Sequence, residues 1–111
     1  MIRTLLLGLA LVIATADGAS AKKVWGAGFT SCRVWQKNRA ADNADSLQQR
    51  SWIAGYLSGH NVASWGSDFL EPKPDADAMW TWIDNYCKDK PLAHLMEAVT
   101  ALKNELEARA P

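Results

Sequence analysis

From Lys22 onward, apolar residues recur at three- and four-residue intervals, and no stretch alternates apolar with polar long enough for a strand. The pattern predicts four helices. The first spans Thr30 to Arg39, capped by Thr30 or Ser31 after the flexible Gly26-Ala27-Gly28. Its apolar residues are Cys32, Val34 and Trp35, with Cys32 and Trp35 on one face. The link Ala40-Ala41-Asp42-Asn43-Ala44 ends it. The second helix spans Asp45 to Ser64, with Asp45 or Ser46 as cap and Gln48 or Gln49 completing a capping box. Trp52, Ile53, Tyr56, Leu57 and His60 follow helical spacing along it. Gly55 and Gly59 stand one turn apart in the same segment, and each costs about 1 kcal/mol relative to Ala. Close approach of another helix or of a bulky Trp is the expected compensation, with a hinge as the alternative.

Two prolines, Pro72 and Pro74, make the segment from Gly66 to Pro74 a loop. The third helix begins at Asp75 or Asp77 and runs to Lys88. It carries the cleanest stripe of the chain: Met79, Trp82, Ile83, Tyr86 and Cys87. The fourth is expected over Leu92 to Ala108, with Pro91 at its first position and Leu92, Leu95, Met96, Val99, Leu102 and Leu106 as its apolar face. Only Asp89 and Lys90 separate the last two helices on this reading.

The first 21 residues follow a different grammar. Arg3 is followed by an uncharged apolar run from Thr4 to Ala16 and by Ala19-Ser20-Ala21, the form of a secretory signal peptide cleaved after Ala21. A cut after Ala16 is the alternative. The apolar run is shorter than the roughly 20 residues a bilayer core requires, so no membrane anchor is expected after cleavage. Residues 22–111 then form one exported domain. Cys32 and Cys87 both lie in it, and an even pair in an oxidising compartment reads as one disulfide. Neither has the C-x-x-C partner or neighbouring His of a redox or metal site. The fold class that results is all-α, a small four-helix bundle stapled by that disulfide.

Charge narrows the function. Lys plus Arg and Asp plus Glu each number 12, so the chain lacks the basic surplus of a nucleic-acid binder. No nucleophile elbow, phosphate loop, zinc motif or dinucleotide fingerprint appears, and neither catalysis nor a cofactor is expected. His60 and His94 lie on separate helices, where each is a candidate pH sensor or an ordinary surface side chain. Asp84 is near Asp77 and Asp89 in sequence, but carboxylates on a helix surface are ordinarily solvated.

Six tryptophans are the more telling feature. Trp35, Trp52 and Trp82 fit core stripes. Trp25, Trp65 and Trp80 fall off them, near element ends or on an outer face, and are the candidate protein-binding residues. In acid the mature chain would carry a charge of roughly +14, enough self-repulsion to loosen a small bundle and uncover apolar surface.

The order Thr30-Ser31-Cys32-Arg33-Val34-Trp35, Trp52-Ile53-Ala54-Gly55-Tyr56-Leu57-Ser58-Gly59, Trp82-Ile83-Asp84-Asn85-Tyr86-Cys87 and Pro91-Leu92 resembles the HdeA/HdeB-like small periplasmic helical proteins. The likeness spans Thr30 to Leu106. It implies an HdeA-like fold, a periplasmic location, a disulfide between Cys32 and Cys87, a homodimer near neutrality, and acid-stress chaperone (holdase) activity toward unfolding protein clients. The Gly55-Tyr56-Leu57-Ser58-Gly59 segment and late Cys are also similar to immunity proteins of the Rap/Tai type. Those would imply direct binding of a single protein partner, a type VI secretion effector.

Overall fold

A computed structural model describes residues 22–111. The expected signal peptide and its cleavage site lie outside the described residues. Among the described residues the protein is all-helical and has no strands. A short 3-10 turn, Ala27–Phe29, precedes four α-helices: α1, Cys32–Ala41; α2, Ala44–Ala63; α3, Ala76–Asp89; and α4, Leu95–Arg109. None is long and apolar enough to cross a membrane.

Side chains set three of the four starts. Ser31 Oγ accepts from Val34 N at 3.2 Å and opens α1. Asn43 Oδ1 accepts from Ser46 N at 2.9 Å and opens α2, in place of the expected Asp45 or Ser46. The reason is that Asp42 turns the chain alone, in left-handed backbone with φ 46°, so the link shrinks to two residues. Asp75 Oδ1 accepts from Asp77 N at 3.0 Å and opens α3.

The start of α4 departs from expectation. Pro91 and Leu92 are outside the helix, and Leu92 is 88% exposed rather than part of the core. The main chain just before α4 is occupied elsewhere. Cys32 N donates to Ala93 O at 2.8 Å, Leu95 N donates to Thr30 O at 2.7 Å, and Ser31 and His94 form an isolated antiparallel bridge. Pro91 and Leu92 form a turn closed by Ala93 N donating to Lys90 O at 3.1 Å, and the bonds to the α1 entry keep Ala93 and His94 out of the helix. Glu97 Oε2 then accepts from His94 N at 2.6 Å at the helix entry.

The core gathers Cys32 and Trp35 from α1, Ile53 and Leu57 from α2, Trp80, Ile83 and Cys87 from α3, and Leu95, Ala98, Val99 and Leu102 from α4. Phe69 joins it from the α2–α3 loop. α3 packs against α1 on one side and α4 on the other, so its buried arc is broad. Ile83 and Cys87 are fully enclosed and Trp80 nearly so, while Met79, Trp82 and Tyr86 flank them half-buried. The disulfide Cys32–Cys87 ties the first turn of α1 to the end of α3 inside this core.

The glycines exchange roles. Gly55 and Gly59 are exposed, and a methyl group on either would meet nothing within 4 Å, so neither admits a close neighbour. The close approach is at Gly28, where a Cβ would stand 2.5 Å from the Trp52 ring. The 3-10 turn therefore lies flat on the indole, and Trp52 Nε1 donates to Trp25 O at 2.8 Å.

Candidate functional site

Chemistry at a small bundle's surface comes from what its helices leave uncovered. Two of the three singled-out tryptophans are uncovered: Trp25 is 94% exposed and Trp65 fully so. Trp80 is not. It is 8% exposed, and its ring centroid lies 6.4 Å from that of Trp35. The broad buried arc of α3 takes in its position, so Trp80 is not on the surface of the folded protein. Among the stripe tryptophans Trp35 is fully buried, while Trp52 and Trp82 are half-buried at the core's edge.

Trp35 carries a polar atom into that core, and Asp84 receives it. Trp35 Nε1 donates to Asp84 Oδ1 at 2.7 Å. Arg39, one turn along α1, donates to the same carboxylate through Nε at 3.2 Å and through its terminal nitrogen at 2.9 Å. The Arg39 guanidinium also stands 5.7 Å from the Trp35 ring centroid. The hydrogen bond that Arg39 donates to Asp84 raises the Arg39 pKa above its ordinary value, against the opposing effect of partial burial. A single carboxylate thus holds α1 against α3 from the outer side, while the disulfide holds them from within.

Asp84 is accordingly a partly exposed acid engaged by Trp35 and Arg39 rather than a freely solvated one. Among the described residues no group of three or more His, Cys, Asp or Glu could hold a metal ion. The histidines do not meet. His60 ends an aromatic ladder along α2, with Trp52 and Tyr56 stacked at 5.1 Å and Tyr56 and His60 at 4.5 Å. His94 sits at the entry to α4, 3.7 Å from Glu97. A parallel ladder on α3 stacks Trp82 on Tyr86 at 5.9 Å, with the Lys90 ammonium 4.9 Å from the Tyr86 ring centroid.

A groove of about 330 Å³ lies where the α2–α3 loop passes the start of α3 and the end of α4. Phe69, Met79, Trp82, Leu102 and Leu106 form its apolar wall, and Pro72 and Pro74 its loop side. Its rim carries Glu71, Lys73 and Asp75 opposite the Glu105–Arg109 ion pair. The loop is held in place from α2. Asn61 donates to Asp68 Oδ1 at 2.7 Å and accepts from Phe69 N at 3.0 Å, and Phe69 is plugged into the core. The half-buried state of Met79 and Trp82 has its cause here, since their outer faces open into this groove.

Spacing along the chain does not reveal the groove, because its two lining segments, residues 69–82 and 102–110, meet only in the folded protein. A signal existed only in part: Met79, Trp82 and Leu106 lie at the margins of their stripes. Comparison with protein-family models, with curated proteins and with solved structures yields no match for this chain.

Proposed function

We propose that the protein is a non-enzymatic, periplasmic holdase of the HdeA/HdeB-like kind, released to bind unfolding proteins when acid discharges its surface carboxylates. The observation that carries this reading is the Asp84 clamp. One carboxylate accepts three hydrogen bonds, one from the indole of the fully buried Trp35 and two from Arg39. The bonds from Arg39 depend on the charge of the carboxylate, so the clamp is sensitive to whatever weakens charge pairing at the surface. The +14 charge that acid brings pushes the helices apart at the same time. The disulfide limits how far they part and keeps the chain from opening fully. Aromatic and aliphatic core surface, beginning with Trp35 and Trp80, then becomes the client-binding surface. The disulfide is also compatible with an oxidising compartment.

The test is an acid titration of the mature protein followed by near-UV circular dichroism and by binding of an apolar dye. Loss of tertiary signal together with a rise in dye binding, both reversible, supports the reading. A protein that remains rigid and dye-free to pH about 3, below the ordinary carboxylate range, refutes it.

A second reading, the Rap/Tai-like one, is favoured by a different observation: Trp25 and Trp65 are already exposed in the folded state. An immunity protein would use them to bind one partner tightly at neutral pH. A toxin gene beside this one and a nanomolar complex at pH 7 would establish that reading in place of the holdase.

A further inference from the structure

Independently of the holdase reading, we infer that the disulfide end of the bundle is a docking face for an anionic phospholipid surface. The net charge of the chain is zero, yet the two ends of α3 differ. Glu71, Asp75 and Asp77 gather at its start, beside Lys73, and Lys88 and Lys90 stand at its finish. A helix of 14 residues sets these ends roughly 20 Å apart.

Other segments add cations to the basic end. Cys32 N donates to Ala93 O and Ser31 pairs with His94, so the first turn of α1, with Arg33 exposed, lies against the α3–α4 turn. Leu95 N donates to Thr30 O, and the 3-10 turn packs on the start of α4, which brings Lys22 and Lys23 with the entry segment to the same side. The helix dipole accounts for lysines at the finish of α3. It does not account for Arg33, which stands in the first turn of α1, the end where a cation is disfavoured. Each ion pair among the described residues uses other cations than these five. Of the acids nearby, Glu97 is engaged by His94 N, and Asp89 is exposed.

Apolar side chains stand among the cations. Leu92 is exposed in the α3–α4 turn between Lys90 and the α1 entry, and Trp25 and Phe29 are exposed on the entry segment. The bond from Trp52 Nε1 to Trp25 O fixes that segment on α2. A soluble polyanion would be held by the cations alone and would leave the leucine and both rings in water. An anionic bilayer meets both needs. Its phosphates take the lysines and arginine, and its headgroup boundary takes leucine, phenylalanine and tryptophan. The acidic end of α3 is repelled by the same surface, so the protein docks in one orientation, with the α2–α3 loop and Trp65 directed away. Binding of this kind is peripheral and reversible.

Co-sedimentation of the mature protein with lipid vesicles at pH 7 and low salt tests this. Vesicles of phosphatidylglycerol mixed with phosphatidylcholine should take up the wild type, and added salt should release it. Each lysine near such a surface is worth roughly fivefold in affinity, so Lys88→Gln combined with Lys90→Gln should weaken binding on the order of 25-fold. Leu92→Ser should weaken it about tenfold, with the near-UV spectrum unchanged because the side chain is outside the core. Trp65→Ala removes an exposed indole from the other end of the bundle and should leave binding unchanged. Failure of the wild type to bind phosphatidylglycerol vesicles at low salt overturns the inference, as does equal binding to pure phosphatidylcholine. Binding that survives the double lysine substitution, or that is lost with Trp65→Ala, places the contact elsewhere and overturns it as well. Binding that survives Leu92→Ser marks a site for polyanions in general and overturns the assignment to lipid.

Discussion

The indole nitrogen of Trp35 lies 2.7 Å from Asp84 Oδ1, so a fully buried ring on α1 finds its hydrogen-bond acceptor on the surface of α3. The pairing resolves two needs at once. A buried indole N–H without a partner costs on the order of 1–3 kcal/mol. Asp84 gains a donor that Arg39 alone would not supply. A joint between α1 and α3 thereby depends in part on the charge of one acid.

Asp84→Asn keeps an acceptor for Trp35 but removes the charge that binds Arg39. Because the Arg39 and Asp84 side chains are 27% and 36% exposed, solvent screens part of the ion pair. Urea unfolding at pH 7 should show a loss of about 1 kcal/mol. The pH dependence has a definite sign. Arg39 has a raised pKa in the fold, so its contribution is complete at every pH below its ordinary value and fades only as pH rises past the folded value.

The glycines should respond in opposite directions. Gly28→Ala drives a methyl group into the Trp52 ring, 2.5 Å away, and should cost about 1–3 kcal/mol. Gly55→Ala and Gly59→Ala add a methyl group to open helix surface and should each stabilise by roughly 0.5–1 kcal/mol. Thermal melting of the three single variants measures both.

Removal of the disulfide should weaken the fold severely. Its cysteines are 55 residues apart, and the chain-entropy model assigns about 4 kcal/mol to a loop of that length. That is comparable with the total stability of a small domain. Equilibrium unfolding of the Cys32→Ser, Cys87→Ser variant, or of reduced protein, should give a transition displaced by this amount or no folded baseline at all.

Much of this architecture is written in spacing. The apolar repeats of α2 and α3, the Ser31 and Asp75 caps and the two cysteines on apolar faces all rest on contacts within a few residues, and these give four helices and the staple. What spacing hides is long-range. Leu92 continues the apolar stripe of α4, yet the main-chain bonds from Cys32 and to Thr30 hold its neighbours extended. Trp80 falls off the stripe of α3, yet α1 and α4 flank that helix on two sides and bury it. Gly55 and Gly59 advertise a close approach that belongs to Gly28 in the 3-10 turn. Asp84 reads as a solvated acid until the bundle brings Trp35 to it across 49 residues. The groove beside Phe69 is illegible for the same reason: residues 69–82 form one wall and the end of α4 the other, and they meet only in the folded chain.

Light scattering of an acid-labile client protein, shifted to pH about 3 with and without an equimolar amount of the mature chain, addresses the holdase claim most directly. Suppressed scattering, with the client recovered in a complex and the chain's near-UV signal lost, is the predicted result. Undiminished client aggregation beside a chain that has demonstrably loosened would contradict it.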